Sequence, residues 1–176
     1  MKKILFNDVY GLTQSVLEAR KTMTRRIVPD NTPLGSWEKT VKKSRYQVGE
    51  VLAVAQSYKN IKGFNRENCG AGWSNKMFVS ASLMPHKIRI TDIKVERLQD
   101  ISEEDCLKEG IQEYFPYIDR NPNDKVRTFQ YFKEGKIRHR ISPASKCFAY
   151  LIDDICGKGT WEKNPYVFAY TFELVK

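Results

Sequence analysis

The chain has 176 residues, of which 41% are hydrophobic and 29% are charged. This composition is typical of one globular domain with a single buried core, and we expect residues 1–176 to form one domain. No apolar run reaches the roughly 18 residues of a membrane-spanning helix, and the first residues are too polar for a secretory signal. We therefore expect a cytoplasmic protein without a membrane partner.

The positive charge is concentrated near the start of the chain. The formal net charge is +9, and residues 1–45 contain ten lysines and arginines against four acidic residues. A clustered excess of this kind favours a polyanionic partner, nucleic acid first, because neutralising phosphates releases counterions. Many proteins are equally basic for solubility alone, so composition leaves both interpretations open. The composition makes no prediction of the oligomeric state.

The cysteines and histidines show no spacing that is typical of a disulfide framework or a metal site. We expect Cys147 and Cys156 to be packing thiols, and we expect neither a metal nor another cofactor. The residues concerned are Cys69, Cys106, Cys147, Cys156, His86 and His139.

The first half of the chain predicts strands and one short helix. Residues 4–6 form an apolar run, and Thr13 is the predicted N-cap of a helix of about two turns. Residues 49–58 form the strongest early strand, followed by a shorter one at residues 76–81.

The strand at residues 49–58 is apolar on both faces until it reaches Gln56. A polar side chain at the end of an otherwise buried face is typical of a cavity rim. We therefore predict that Gln56 and Tyr58 bind ligand at such a rim.

Residues 86–98 predict a long strand whose apolar phase slips at Thr91 and Asp92, which indicates a β-bulge there. A helix follows, with Ser102 as its N-cap and Gly110 as its stop. Glu109 lies in the last turn of that helix, where the helix dipole disfavours a carboxylate. This position marks Glu109 as a candidate functional residue.

The last third of the chain predicts a hairpin, a helix and a final strand. The hairpin joins residues 129–132 to 137–141 through a turn at 133–136. Pro143 then opens a helix with apolar residues at i, i+3, i+4 and i+7, and residues 166–175 form an aromatic strand.

These elements alternate irregularly, which favours an α+β domain or a small closed barrel with helices at its ends over a doubly wound sheet. We count about five or six strands and two to three helices. Three segments rich in turn formers or aromatics are predicted insertions, near residues 30–45, 59–75 and 114–141.

The densest chemistry lies in the sequence ARKTMTRR, residues 19–26. It holds two hydroxyls, Thr22 and Thr24, among four cations. Such a segment binds anions or supplies a nucleophile, or it is a solvated basic face. Its cations are Arg20, Lys21, Arg25 and Arg26.

Four stretches in the same order resemble the ASCH domain of the PUA-like superfamily. They are ARKTMTRR, YQVGEVLAVAQSY, LQDISEEDCLKEGI and the closing FELV, and the resemblance spans nearly the whole chain. The segments WSNKMFV, LIDDICGKGTW and NPYVFAYTFEL are similar to segments of ASCH proteins from bacterial and phage-derived genomes. The resemblance implies a PUA-like β-barrel beside a cleft that holds RNA or a modified nucleoside.

A small ASCH group hydrolyses 4-N-acetylcytidine with a lysine, a threonine three residues later and a glutamate before a glycine. The resemblance therefore implies catalytic roles for Lys21, Thr24 and Glu109, and Arg26 falls where that group also has an arginine. This chain is much longer than those amidohydrolases and carries Arg25 where they have an aliphatic residue.

Three hypotheses follow. The first is a domain that binds RNA or a modified nucleoside in a basic cleft on ARKTMTRR, with Arg20, Arg25 and Arg26 as ligand-binding residues. The second is an amidohydrolase that acts on an N-acylated cytidine. The third is a phage-derived domain that binds another protein.

Trp161 and Asn164 precede the last strand, and we predict that they form part of the cleft wall. The alternative for Trp161 is a place in the core against the preceding helix. The hydrolytic interpretation also has an alternative, in which Thr24 caps a turn and Glu109 pairs with Arg25 or Arg26.

Overall fold

The computed structural model describes residues 1–114 and 127–175, and its architecture is α+β, as predicted. The strands of these two ranges are β1 (Lys3–Ile4), β2 (Met23–Ile27), β3 (Val51–Val54), β4 (Lys87–Arg97), β5 (Gln112–Tyr114), β6 (Thr128–Lys133), β7 (Lys136–Ile141) and β8 (Tyr166–Val175). The α-helices are α1 (Leu12–Leu17), α2 (Trp37–Lys42), α3 (Glu103–Lys108), α4 (Ala144–Cys156) and α5 (Thr160–Lys163).

The main sheet has five strands in the order β1-β3-β4-β8-β2. Its neighbours are antiparallel except for β1 and β3, which are parallel. The two longest strands, β4 and β8, pair along their whole length, and the register shifts between Ile90 and Asp92. The predicted bulge is therefore confirmed, and so are the bounds of the final strand.

The main sheet does not close on itself. Strands β1 and β2 lie at its two ends, and within the described residues no main-chain pairing joins them. A side chain of β2 spans the gap instead, because the Arg26 guanidinium donates a hydrogen bond to the main-chain oxygen of Leu5, just after β1. The predicted barrel is thus not confirmed, and the sheet is open with a polar link between its ends.

The second sheet has three strands in the order β5-β6-β7. Strands β6 and β7 form the predicted hairpin, with Glu134 and Gly135 in the turn at positive φ. Helix α4 packs across both strands. The hairpin belongs to the insertion predicted near residues 114–141, of which residues 115–126 lie outside the described residues.

Helix α4 shows why the predicted helices form where they do. Its apolar residues repeat at helical spacing, and Phe148 and Leu151 are almost fully buried. Helix α3 has its predicted cap, because the Ser102 hydroxyl accepts a hydrogen bond from the Asp105 amide at 3.1 Å. No described helix is long and apolar enough to cross a membrane.

Several predictions need correction. The described residues form eight strands and five α-helices, more than the five or six strands and two to three helices predicted, and β1 ends at Ile4, before the end of the predicted run at residues 4–6. Residues 76–81 form short 3₁₀ turns and no strand, and the loop predicted around residues 30–47 contains α2. Strand β3 ends at Val54, earlier than predicted. Helix α1 is capped by Gly11 in a left-handed conformation, since the Thr13 hydroxyl donates to the Phe6 carbonyl instead.

Candidate functional site

Lys21 and Glu109, 88 residues apart in sequence, form a buried ion pair. The Lys21 ammonium lies 2.6 Å from Glu109 Oε2 and donates a second hydrogen bond to the Glu109 carbonyl at 2.7 Å. The two residues are 2% and 4% exposed. A lysine and a glutamate are rarely buried to this degree unless they are paired, so the pair is a built feature of the interior.

Main-chain hydrogen bonds around Thr22 bring the two side chains together. The Thr22 amide donates to the Lys108 carbonyl, and the Phe172 amide donates to the Thr22 carbonyl, both at 2.9 Å. The residue after Lys21 is thus fixed between the end of α3 and strand β8. This explains why a glutamate at the C-terminus of α3 is tolerated, since its charge meets a cation.

Arg25 is the centre of a larger charge cluster. Its guanidinium contacts three carboxylates: Glu96 at 2.7 Å, Glu109 at 3.1 Å and Asp105 at 3.3 Å. The Arg25 side chain is only 1% exposed. Although burial opposes its charge, the carboxylates of Glu109 and Glu96 raise the pKa of Arg25 above its ordinary value. Arg25 therefore stays charged and gives Glu109 a second partner.

Burial lowers the pKa of Lys21 below the ordinary value for lysine, although the Glu109 carboxylate opposes the change. Arg26 and Arg25 lower it further as like charges. A neutral lysine still has two N–H groups, enough for both of the hydrogen bonds that Lys21 makes. Arg25 continues to neutralise Glu109 when Lys21 loses its proton.

The ion pair lies at the wall of a cavity of about 200 Å³, which we call the main cavity. Lys21, Thr24, Arg25, Arg26 and Glu109 all line it. Thr24 belongs to β2 and is 5% exposed. Within the described residues its hydroxyl makes no hydrogen bond, so it is available to a bound molecule.

The rest of the main cavity is mostly apolar. Helix α4 forms one wall, and Leu5, Phe6 and Leu12 form another. Cavities that bind small molecules combine apolar walls with a few polar groups in this way. The α4 residues that line the cavity are Phe148, Leu151, Ile152, Ile155 and Cys156. Their helical spacing predicts the buried face of a helix, and nothing in their type marks a site.

Arg20 and Arg26 have different surroundings from Lys21 and Arg25. Arg20 is exposed, pairs with Glu18 and donates to the Ser15 hydroxyl at 3.1 Å, and it does not line the main cavity. Arg26 is also exposed but lines the cavity edge. In residues 1–114 and 127–175, no carboxylate pairs with Arg26.

Gln56 and Tyr58 lie apart from the main cavity. Strand β3 ends at Val54, so neither residue belongs to the strand that was predicted to carry them. Gln56 lines a separate polar pocket with Asn60 and His86, and its buried Oε1 has no hydrogen-bond partner within the described residues. The Tyr58 ring packs on Phe64, with 4.6 Å between ring centroids, so Phe64 tethers its loop.

Trp161 and Asn164 also lie outside the main cavity. The half-buried Trp161 ring packs edge-on against Phe148 of α4, with 6.2 Å between ring centroids, and so lies at the border of the core. Asn164 adopts a left-handed conformation, and its side-chain oxygen accepts a hydrogen bond from the Gln99 amide at 2.9 Å. From this part of the chain, Thr160 lines the main cavity.

Of the two thiols predicted to pack in the interior, Cys147 is buried as expected, whereas Cys156 at the end of α4 is exposed. Burial raises the pKa of Cys106 and of Cys147 to about 12 in each case, so both thiols stay protonated at neutral pH. Over the described ranges, no group of three or more histidine, cysteine or acidic side chains is placed to hold a metal ion.

Comparison with known proteins gives similarity to solved structures alone. No family model and no curated protein matches the chain. The fold is similar to a protein of the family DUF984 from Enterococcus faecalis V583, with 13% identity, a TM-score of 0.47, and coverage of 99% of this chain and 80% of that one. A second similar structure is an ASCH domain from Lactobacillus crispatus JV V101. The identity is 12% and the TM-score 0.45, over 96% of this chain and 75% of that one.

An ASCH domain is thus among the solved structures that this chain resembles.

Proposed function

We propose that the protein binds a nucleobase-sized molecule in the main cavity and hydrolyses an amide on it, with an N-acylated cytidine as substrate. The observation that carries this proposal is the buried Lys21–Glu109 pair in a cavity that Thr24 also lines. A hydroxyl, an amine and a carboxylate can act as nucleophile, base and proton relay in amide hydrolysis through an acyl intermediate.

The size and lining of the cavity support a small substrate. Its volume of about 200 Å³ is less than that of most drug-sized sites, which begin near about 300 Å³. The apolar walls suit a flat base and a short acyl group. Lys21 and Arg25 are paired with carboxylates, which favours a small substrate over a long polyanion in the depth of the cavity.

In the proposed reaction, Thr24 Oγ1 attacks the acyl carbon while the neutral Lys21 amine takes the hydroxyl proton. The amide C–N bond then breaks, and the departing amino nitrogen takes that proton, either from Lys21 or through Glu109. Water hydrolyses the acyl-threonine ester, which releases the carboxylic acid and restores the Thr24 hydroxyl.

The direct test is to incubate the protein with 4-N-acetylcytidine and measure cytidine and acetate. We expect turnover, and we expect Thr24→Val to lower kcat by at least about 100-fold, because valine keeps the shape of threonine without its hydroxyl. Thr24→Ser should retain part of the activity.

Thr22→Ala is the matched control, since Thr22 is the other hydroxyl of the same motif and does not line the cavity. It should hydrolyse the substrate at close to the wild-type rate. An inactive wild-type protein, or a fully active Thr24→Val variant, would overturn the hydrolytic mechanism.

Binding without hydrolysis is the second candidate function. It is favoured by the basic surface beside the cavity, where Arg26 has no carboxylate partner within the described residues. In that case the wild-type protein would bind cytidine derivatives and leave the acyl group intact. Calorimetry with the intact 4-N-acetylcytidine distinguishes this outcome from no binding at all.

A further inference from the structure

A second concave site adjoins the main cavity. It has a volume of about 380 Å³, and we call it the basic pocket. Arg26, Lys43 and Arg45 supply its cations, and Tyr46 supplies an aromatic wall. The two sites share Leu5, Arg26 and Ile27, so they meet at the gap between the two ends of the main sheet.

The geometry of β2 explains this arrangement. Successive residues of a strand point to opposite faces, and Arg26 lies opposite Phe168 on β8. Phe168 lines the basic pocket, so Arg26 and Phe168 face it from the same side of the sheet. Arg26 thus stands between the two sites and contributes to both.

Lys21 and Arg25 of the main cavity are paired with carboxylates, whereas the cations of the basic pocket have no such partner in the described residues. No carboxylate lines the basic pocket in the described parts of the chain, and none pairs with Lys43 or with the Arg45 side chain there. The Arg45 guanidinium lies 5.6 Å from the centre of the Tyr46 ring, and Tyr46 is itself buried. Stacking of this kind holds an arginine in place while its N–H groups remain available.

Two arginines and a lysine without carboxylate partners have the charge and the hydrogen-bond donors that a phosphate group requires. We propose that the substrate is phosphorylated: the acylated base occupies the main cavity, and the phosphate of the same nucleotide binds Arg26, Lys43 and Arg45. This inference rests on the proposed function and names its substrate class. The phosphate belongs either to a free mononucleotide or to a short RNA strand.

The test compares three substrates that carry the same acetylated base: the nucleoside, its 5′-monophosphate, and a short single-stranded oligoribonucleotide. We expect kcat/KM for the monophosphate to exceed that for the nucleoside by about tenfold or more, as for charge-assisted hydrogen bonds. The preference should fall as salt is raised. A still higher value for the oligonucleotide would assign the phosphate to RNA.

Lys43→Ala with Arg45→Ala should bring the ratio of the two kcat/KM values close to one. Lys39→Ala is the matched control, because Lys39 is an exposed lysine of α2 that does not line the pocket, and it should keep the wild-type ratio.

The outcomes separate the two proposals. Equal kcat/KM for nucleoside and monophosphate would overturn the phosphate site and leave the hydrolytic function standing. If none of the three substrates is hydrolysed, the hydrolytic function fails, and calorimetry with cytidine and cytidine 5′-monophosphate tests the phosphate site alone. Tighter binding of the monophosphate, lost in the double variant and kept in Lys39→Ala, supports the site, and equal affinity overturns it.

Discussion

The main cavity and the basic pocket both contain cations from the first quarter of the chain, yet the two sites differ in how those cations are compensated. In the main cavity, Lys21 and Arg25 are buried and held by carboxylates from α3 and β4. In the basic pocket, Lys43 and Arg45 are exposed to solvent. The paired cations hold the wall of the main cavity together, whereas the cations of the basic pocket are the ones that we propose bind a ligand.

The largest effect is expected when the carboxylate that pairs with Lys21 and Arg25 in the main cavity is removed. Glu109→Gln keeps the shape of the side chain but leaves Lys21 without its carboxylate partner and Arg25 with one fewer. We expect a loss of about 3–5 kcal/mol in the free energy of unfolding, as for other buried pairs that lose one partner. Urea unfolding of the purified variant measures this loss.

Two further variants test whether the loss of stability in Glu109→Gln comes from the buried ion pair. Lys21→Met should cost less than Glu109→Gln, because Glu109 keeps Arg25 as its partner. Glu104→Gln removes a carboxylate whose side chain is 78% exposed and pairs with Lys108, and we expect a change within about 0.5 kcal/mol. If Glu109→Gln proves as mild as Glu104→Gln, the buried pair is not what fixes the site.

The contact between Lys21 and Glu109 illustrates what the sequence could reveal. Glu109 stands at the C-terminus of a helix, where its charge is unfavourable, and that position marks it as a candidate functional residue. The resemblance to ASCH proteins groups it with Lys21, and pairing with Arg25 or Arg26 is the alternative. The Ser102 cap and the apolar spacing of α4 also predicted their helices correctly. In each of these cases a local rule about a helix end or a helix face decided the structure.

Strand β2 shows where such rules stop. Its sequence, MTRRI, lacks the alternation of apolar and polar residues that predicts a strand. Arg25 occupies a buried position in this strand because three carboxylates, all distant in sequence, pair with its guanidinium. The basic pocket was missed for a related reason. Whether a lysine or arginine is neutralised depends on carboxylates far away in the sequence, and the density of cations in ARKTMTRR carries no information about them.

The second effect concerns the protonation of Lys21. Because burial lowers its pKa, the neutral amine that the mechanism needs forms at a lower pH than in a free lysine, whose value is near 10.5. We expect kcat/KM for 4-N-acetylcytidine to rise about tenfold per pH unit below the lowered pKa of Lys21 and to level off above that pKa. A pH series of initial rates with the wild-type protein measures the profile.

The lowered pKa of Lys21 also makes the stability of the fold depend on pH. Between the pKa of Lys21 in the folded protein and that in the unfolded chain, the unfolded chain binds more protons, so this group makes the protein more stable as pH rises. Lys21→Arg should remove the rising limb of the rate profile, since an arginine stays protonated. A rate independent of pH in the wild-type protein would exclude Lys21 as the base.

The smallest effect on the free energy of unfolding is expected for variants of the basic pocket, in contrast to the large effect expected for Glu109→Gln. Lys43→Ala and Arg45→Ala remove cations that no carboxylate holds in the described parts of the chain, so little is lost on folding. We expect each variant to unfold within about 0.5 kcal/mol of the wild-type protein in urea. The loss of packing between Arg45 and Tyr46 opposes the relief of repulsion between like charges. A loss of several kcal/mol from Arg45→Ala would mean that this arginine holds the Tyr46 wall in place, and the pocket would then be structural rather than a site kept open for an anion.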